Sequence, residues 1–322
     1  MRRDIKAWYY LAPLSLLTIL LGLASGPAGF GLLADPQVMA IRLPRVLLGL
    51  LAGAGLASSG AALQAALGNP LAEPYLLGVS GGAAFGAALA LLLGLSAGLG
   101  GAVGLPLFSL AFGLLALYVV YSLSKVGSRL PAETVILSGI IVNAFFSALI
   151  MLLLALAGRQ LQEMIYLLMG NLGMIFGAQS LYLLWVCAAI IILCTGYLWS
   201  QGRNLDLLSL GEQPAQSLGL KVEKLKLRIL LASALMVAAV VSLAGVIGFV
   251  GLVVPHLARM ISGPKNSRLL PLSVVLGANL LVLADALART IAPQEIPVGV
   301  ITSLLGVPFF IYLLRRKKRA GL

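Results

Sequence analysis

Residues 41–82 read IRLPRVLLGLLAGAGLASSGAALQAALGNPLAEPYLLGVSGG. The stretch opens on Arg42 and Arg45, continues as mostly apolar and small residues, and is interrupted by the polar, proline-bracketed segment Asn69–Pro74. A run of this length can cross the roughly 30 Å hydrocarbon core of a bilayer as a helix. The stretch therefore predicts one membrane-spanning helix, a turn, and the start of a second helix.

The whole chain has the composition of a membrane protein. Of its 322 residues, 61% are hydrophobic and 10% are charged, and the mean hydropathy is +1.07. So little charge cannot cover a soluble domain of this size. We therefore predict an all-α, polytopic membrane protein in which residues 1–322 form a single transmembrane domain. The ten predicted helices cover residues 8–31, 43–67, 75–94, 101–123, 133–157, 177–200, 228–246, 248–262, 269–291 and 297–314.

Two features of this segmentation depend on further information. Residues 228–262 fit either two crossings or one long kinked helix. Both ends of the chain are basic, so the positive-inside rule predicts two cytoplasmic termini and an even number of crossings. The net charge of +12 is then a topology signal and an attraction to membrane lipid rather than a sign of nucleic-acid binding. Four of the 22 basic residues fall outside: Arg42, Arg45, Arg159 and Arg289.

Small residues recur at helical spacing in the first two helices of this stretch. Gly49, Gly53 and Ala57 lie four residues apart, and Gly82 and Gly86 repeat the spacing. Small residues on one face let helix backbones approach closely in lipid. These faces are predicted to pack against protein.

Three arginines on the outer side oppose the positive-inside bias. Arg42 and Arg45 flank Pro44, which suits the first turn of a helix, and Arg289 ends the ninth helix. Anchoring of the helices at the membrane surface would explain them as well. We favour a cluster that faces outward and docks an acidic partner.

The segment 201–227 is the longest cytoplasmic connection. Glu212 and Pro214 suit the first turn of a helix and Gly219 its C-terminal stop, so we predict a short helix followed by a second, basic helix over 221–226. A helix this short is unstable alone. It is predicted to rest on the bilayer surface or on another protein.

The remaining polar features favour structural roles. Asn69–Pro74 fits a tight turn or a pivot, and a faint match of Arg45-Val-Leu-Leu to Arg228-Ile-Leu-Leu, with proline-containing turns near Pro70 and Pro255, is consistent with an inverted repeat or with chance. His256 has no second histidine or nearby cysteine, so neither a metal site nor a catalytic residue is predicted. Cys187 and Cys194 are expected to pack as small apolar residues.

Six motifs spread along the chain closely resemble the membrane subunits of bacterial type II ABC importers, the family that carries ferric siderophores, haem and cobalamin. They are Arg42-Leu-Pro-Arg45, Ser58–Pro74, Leu77-Gly-Val-Ser80, Leu210–Gly219, Gly248–His256 and Pro297–Thr302. The resemblance implies an inverted-repeat fold of about ten helices and a homodimer in the inner membrane. It also implies two cytoplasmic ATPase subunits and a periplasmic binding protein. Because the chain has no G-x-x-x-x-G-K-[ST] loop, ATP and Mg would be bound by the ATPase subunits, and no cofactor by this chain.

The resemblance also implies roles for particular residues. The arginines 42, 45 and 289 would pair with glutamates of the binding protein, and the turn before residue 134 would form the cytoplasmic gate. At the gate this chain departs from relatives that carry small hydroxyl residues. The implied gate residues are Pro131, Ala132 and Glu133. The implied coupling residues lie within cytoplasmic helices at about 205–226 and are Leu210, Gly211, Glu212, Ala215, Leu218 and Gly219. The implied hinge or packing residues are Gln64, Asn69, Pro70, Pro255 and His256.

The sequence therefore predicts a permease that moves a metal chelate or a corrinoid by alternating access. An ion-driven secondary transporter is the alternative, and it would need acidic residues in mid-membrane. The candidates Asp285, Glu163 and Glu295 all lie near predicted helix ends. An intramembrane enzyme is disfavoured, because no paired carboxylates and no Ser/Lys arrangement occur at helical spacing.

Overall fold

The computed structural model describes residues 2–26, 31, 35–95, 98–127, 129–173, 178–292 and 294–319, and these are mainly helical. The helices are α1 (Arg2–Ala24), α2 (Pro36–Ala66), α3 (Val79–Leu92), α4 (Gly98–Ser124), α5 (Ala132–Leu156), α6 (Leu161–Met169), α7 (Ala178–Ser200), α8 (Gly202–Leu208), α9 (Glu212–Ser217), α10 (Val222–Ala244), α11 (Val250–Ser262), α12 (Asn266–Thr290) and α13 (Val298–Arg319). Short 3₁₀ turns precede α3 and α6.

The ten predicted apolar helices are present in the predicted order. Within the described ranges, α2, α4, α5, α7, α10 and α12 are long and apolar enough to cross a membrane, and α1, α3, α11 and α13 contribute shorter apolar stretches. The described ends of several helices differ from the prediction by a few residues. Residues 27–30 of the first predicted segment and residue 177 of the sixth lie outside the described residues.

The start of α2 differs from the prediction. The helix begins at Pro36, not near residue 43, because Asp35 caps it by accepting a hydrogen bond from Gln37 N–H at 2.9 Å and Pro36 suits the first position. Pro44 is therefore inside the helix rather than in its first turn. Arg42 and Arg45 accordingly lie about two turns into α2.

The ambiguous segment 228–262 forms two helices. The break between α10 and α11 contains Gly245 and Phe249, both with positive φ (68° in each case). A side chain at Gly245 would collide with the carbonyl of Leu167, so the break also lets α6 approach. Helix α10 begins at Val222, so the predicted separate basic helix over 221–226 is wrong. The segment predicted as a loop between the fifth and sixth helices contains α6.

Small residues bring α2 and α12 into backbone contact. A Cβ added at Gly53 would lie 2.2 Å from the carbonyl oxygen of Gly277, and one added at Gly277 would lie 2.4 Å from Cβ of Ala57. Gly82 and Gly86 of α3 approach backbone carbonyls of α4 in the same way. The predicted packing of these faces against protein is confirmed.

Replacing Gly53 with alanine should destabilise the protein by about 1–3 kcal/mol, because the methyl group requires α2 and α12 to separate. Gly196 is the matched control, since it lies in α7 with no atom within 4 Å of an added Cβ. Alanine there should be neutral or slightly stabilising. Thermal unfolding in detergent compares the two, and equal melting temperatures would contradict the close approach.

The helices divide into a buried centre and an outer layer. Helices α2 and α10 are buried along most of their length, whereas α5 and α7 present large apolar side chains outward. Phe145 and Met151 of α5 and Trp185 and Leu193 of α7 are each more than half exposed. Such a surface is suited to lipid or to another apolar partner.

Candidate functional site

The candidate residues lie at two ends of the molecule joined by α2. Arg45 lies in the first third of this helix and Gln64 near its end, and 19 residue steps at 1.5 Å place them about 28 Å apart along the axis. Gln64 lines a cavity of about 530 Å³ together with Gly211 and Glu212. The predicted docking arginines and the predicted coupling residues are thus at opposite ends of α2.

The arginine end is built on a buried ion cluster. Arg45 donates from Nε to Asp285 Oδ1 at 3.0 Å and from Nη1 to Glu295 Oε2 at 2.9 Å, and Arg289 Nε lies 3.0 Å from Asp285 Oδ2. We call Arg42, Arg45, Asp285, Arg289 and Glu295 the arginine cluster. It joins α2 to the end of α12 and to the connection that follows α12.

The same cluster caps the end of α1. The last carbonyls of a helix have no partner within the helix, and they carry its negative end. Arg42 donates to Leu23 O at 2.8 Å, and Arg289 donates to Gly22 O at 3.0 Å and Ser25 O at 2.8 Å. Two guanidinium groups therefore satisfy the C-terminal end of α1.

The structure buries all three arginines that the sequence places on the outward surface. Their exposed fractions are 6% for Arg42, 6% for Arg45 and 3% for Arg289. Asp285 and Glu295 enclose Arg45, Asp285 also pairs with Arg289, and the carbonyls at the end of α1 surround Arg42. Direct pairing with a partner's carboxylates would require internal bonds to break, and the docking role stays a prediction.

At the opposite end, α9 is a compact projection. Gly211 (φ 113°) precedes it and Gly219 (φ 88°) follows it. Its end is a Schellman motif, in which Leu220 N–H donates to Ala215 O at 3.0 Å and Gly219 N–H to Gln216 O at 2.9 Å. The predicted short helix with a glycine stop is confirmed.

Helix α9 has one buried face and exposed apolar ends. Ala215 is fully buried, whereas Leu210 and Leu218 are 64% and 63% exposed. Glu212 starts the helix with its side chain about half exposed. The two leucines are thus exposed apolar side chains on either side of a mostly polar helix, and the coupling role stays a prediction.

The predicted gate residues form the start of α5. Pro131 precedes the helix with extended backbone angles, Ala132 is its first residue and Glu133 is exposed in its first turn. Thr134 Oγ1 lies 2.9 Å from both Ser124 O and Pro131 O, and so fixes the turn between α4 and α5. The gate role itself stays a prediction.

The side chain of Gln64 bridges two groups of α11. Pro255 has no N–H, so the carbonyl of Gly251, four residues earlier in α11, lacks its helical donor. Gln64 Nε2 donates to Gly251 O at 3.2 Å, and Gln64 Oε1 accepts from Arg259 Nη2 at 2.7 Å. Pro255 therefore lies inside α11, and the proline-containing turn predicted there is wrong.

The remaining motif residues make local contacts, and their hinge or packing role stays a prediction. Asn69 Oδ1 accepts from Leu71 N–H at 2.9 Å and Asn69 O accepts from Ala72 N–H at 3.0 Å, so the segment around Pro70 is a tight turn. The His256 ring packs edge-on against Phe309 with centroids 5.9 Å apart. Within the described ranges, no group of three histidine, cysteine or acidic residues is placed to hold a metal ion.

Replacing Gln64 with leucine should lower the free energy of unfolding by about 1–3 kcal/mol, because the buried carbonyl of Gly251 and the guanidinium of Arg259 each lose a partner. Gln213→Leu on the exposed surface of α9 is the control, and it should change stability little. Thermal melting in detergent is the measurement. Indistinguishable melting temperatures for the two variants would contradict the bridging role.

A second cavity, of about 730 Å³, is lined mainly by apolar side chains. Glu73 is the only acidic residue among its described lining residues, and its carboxylate accepts a hydrogen bond from Phe249 N–H. The cavity has room for a sizeable apolar or amphipathic molecule and offers few polar contacts. Other lining residues include Tyr75, Met169, Leu252, Leu304 and Phe310.

Comparison with known proteins agrees with this architecture. The model of the FecCD transport family matches residues 10–316. The ABC transporter permease protein YvrB of Bacillus subtilis (strain 168), which is uncharacterised, is 44% identical over 286 residues, or 88% of this chain and 80% of YvrB. The hemin transport system permease protein HmuU of Yersinia pestis is 42% identical over 287 residues, or 87% of this chain and 84% of HmuU. The cobalamin import system permease protein BtuC of Halobacterium salinarum (strain ATCC 700922 / JCM 11081 / NRC-1) is 38% identical over 296 residues, or 91% of this chain and 78% of BtuC.

A solved structure shows the same fold. It is an ABC transporter in an inward-facing conformation, proposed to be of the metal-chelate type, with 34% identity and a TM-score of 0.86 over 97% of this chain and 99% of that chain. The predicted all-α fold of a type II ABC importer permease is thereby confirmed. The relatives are permease proteins, the membrane component of a transporter whose ATPase is a separate subunit. This chain is a multi-pass membrane permease rather than an enzyme, and it belongs to the FecCD transport family.

Proposed function

We propose that the chain is the membrane-spanning subunit of an ATP-driven importer in the bacterial inner membrane, with both termini in the cytoplasm. It works as a homodimer with two cytoplasmic ABC ATPase subunits, which bind ATP and Mg, and with a periplasmic substrate-binding protein. The observation that carries the proposal is the placement of the arginine cluster and α9 at opposite ends of α2. An importer of this design contacts its binding protein on one face of the membrane and its ATPase subunits on the other.

The two ends are suited to these roles in different ways. Leu210 and Leu218, which flank helix α9, are exposed, and this segment is the proposed ATPase contact. The arginine cluster joins α1, α2 and α12, and it is the proposed place where the binding protein's glutamates approach. The turn at Pro131–Glu133 is the proposed cytoplasmic gate.

The proposed cargo is a metal chelate or a corrinoid such as a ferric siderophore, haem or cobalamin. The relatives named for hemin and for cobalamin are 42% and 38% identical to this chain. The apolar lining of the 730 Å³ cavity offers no pattern of side chains that would select one cargo. Selection is therefore assigned to the binding protein, and binding of cobalamin, hemin and ferric siderophores to that protein tests the cargo.

Co-purification and transport test the function. A tagged chain should retain an ABC ATPase subunit, and proteoliposomes should accumulate cargo only with ATP and binding protein. A chain that retains no ATPase and takes up substrate along an ion gradient would instead support the secondary transporter. That alternative is disfavoured because Asp285, a buried acid of α12, is already paired with Arg45 and Arg289.

A further inference from the structure

A buried lysine connects α9 to the turn that precedes α5. The side chain of Lys226, near the start of α10, is 1% exposed. Its Nζ donates to Glu212 Oε1 at 2.6 Å and to Leu130 O at 2.9 Å. Glu212 is the first residue of α9, and Leu130 immediately precedes Pro131. One ammonium group therefore contacts both the proposed coupling helix and the proposed gate.

Glu223 holds the same turn from the other side. It lies one turn before Lys226 on α10, and its Oε2 accepts from Leu130 N–H at 2.8 Å. The backbone of Leu130 is thus bound at its N–H by Glu223 and at its carbonyl by Lys226. Both contacts link residues more than 90 positions apart in sequence.

The second carboxylate oxygen of Glu223 provides an alternative partner for the lysine. Among the described residues, Glu223 Oε1 is buried without a hydrogen bond and lies 4.0 Å from Lys226 Nζ. A buried ammonium group requires a counter-charge, because its desolvation is costly. If Glu212 moves away with α9, the nearest carboxylate that can replace it is Glu223.

We propose that Lys226 and Glu223 form a relay that transmits displacement of α9 to the turn at Leu130. In the described state Lys226 pairs with Glu212 and Glu223 binds Leu130 N–H. When α9 is pulled away, Lys226 moves from Leu130 O to Glu223 Oε1, so the Leu130 carbonyl loses its donor while Leu130 N–H stays bound to Glu223 Oε2. The inference rests on the proposed function, in which the ATPase moves α9.

The test uses the full complex of the chain with its ATPase subunits in proteoliposomes. Arg129→Cys, an exposed position beside Leu130, in a Cys187→Ser/Cys194→Ser background, reports on the turn by its rate of maleimide labelling with and without ATP. Lys226→Met removes the charge and keeps an apolar stem. Lys224→Met is the matched control, because Lys224 is an exposed lysine on the same helix.

We expect the parent and Lys224→Met to show the same ATP-dependent change in labelling. Lys226→Met should hydrolyse ATP but reduce this change, and cargo moved per ATP, about fivefold or more. Glu223→Gln keeps an acceptor for Leu130 N–H but has no negative charge to pair with Lys226. It should show the same loss, and it serves as the test if Lys226→Met does not assemble.

Two outcomes overturn the relay, and they are distinguishable. If ATP changes the labelling rate equally in the parent, in Lys226→Met and in Glu223→Gln, the relay is refuted and the proposed function stands. If the parent binds no ATPase, the proposed function is refuted and the relay with it.

Discussion

Replacing Asp285 with alanine should destabilise the protein by about 3–5 kcal/mol, the loss typical of removing one partner of a buried ion pair. The Asp285 side chain is 3% exposed and lies between Arg45, at 2.9 Å, and Arg289, at 3.0 Å. Without it, two buried guanidinium groups face each other with no carboxylate between them. Thermal unfolding in detergent should show a large fall in melting temperature.

Two variants separate charge from packing in this experiment. Asp285→Asn keeps the size and an acceptor oxygen, so it isolates the lost charge. Glu295→Gln should have a smaller effect, because the Glu295 side chain is 34% exposed and solvent can screen the remaining charge. If Asp285→Ala and the parent had the same melting temperature, the arginine cluster would not stabilise the junction of α1, α2 and α12.

Hydropathy was sufficient to predict the helices but not their ends. The ten apolar segments appear in order because each must satisfy its own backbone in lipid, a requirement that is local in sequence. The start of α2 was mispredicted because Asp35 and Pro36, which specify it, precede the apolar run. Helix α6 was missed because a nine-residue helix is too short to register as a crossing.

Pairings between distant residues could not be predicted from one sequence. The burial of Arg45 depends on Asp285 and Glu295, which are 240 and 250 residues away in sequence. Lys226 read as one more cytoplasmic charge, although its burial depends on Glu212 and Leu130. One signal was available: a proline inside an apolar helix predicts an unpaired carbonyl four residues earlier, which at Gly251 is the group that Gln64 satisfies.

Replacing both Leu210 and Leu218 with serine should abolish retention of the ATPase subunits and with it ATP-driven transport. The two side chains are 64% and 63% exposed in the isolated chain, so their loss should leave the fold intact. If the ATPase covers them, each contributes about 1.5–3 kcal/mol of apolar burial. Losing both should weaken binding about a hundredfold or more, since 1.4 kcal/mol corresponds to a factor of ten.

The same double variant decides between the two surfaces that α9 can rest on. Gln216→Ala, an exposed change on the same helix that removes no apolar group, is the control and should retain the ATPase. If Leu210→Ser/Leu218→Ser binds the ATPase as well as the control does, the leucines lie against lipid instead. In that case α9 would be a membrane-surface helix, and the ATPase subunits would have to contact another part of the chain.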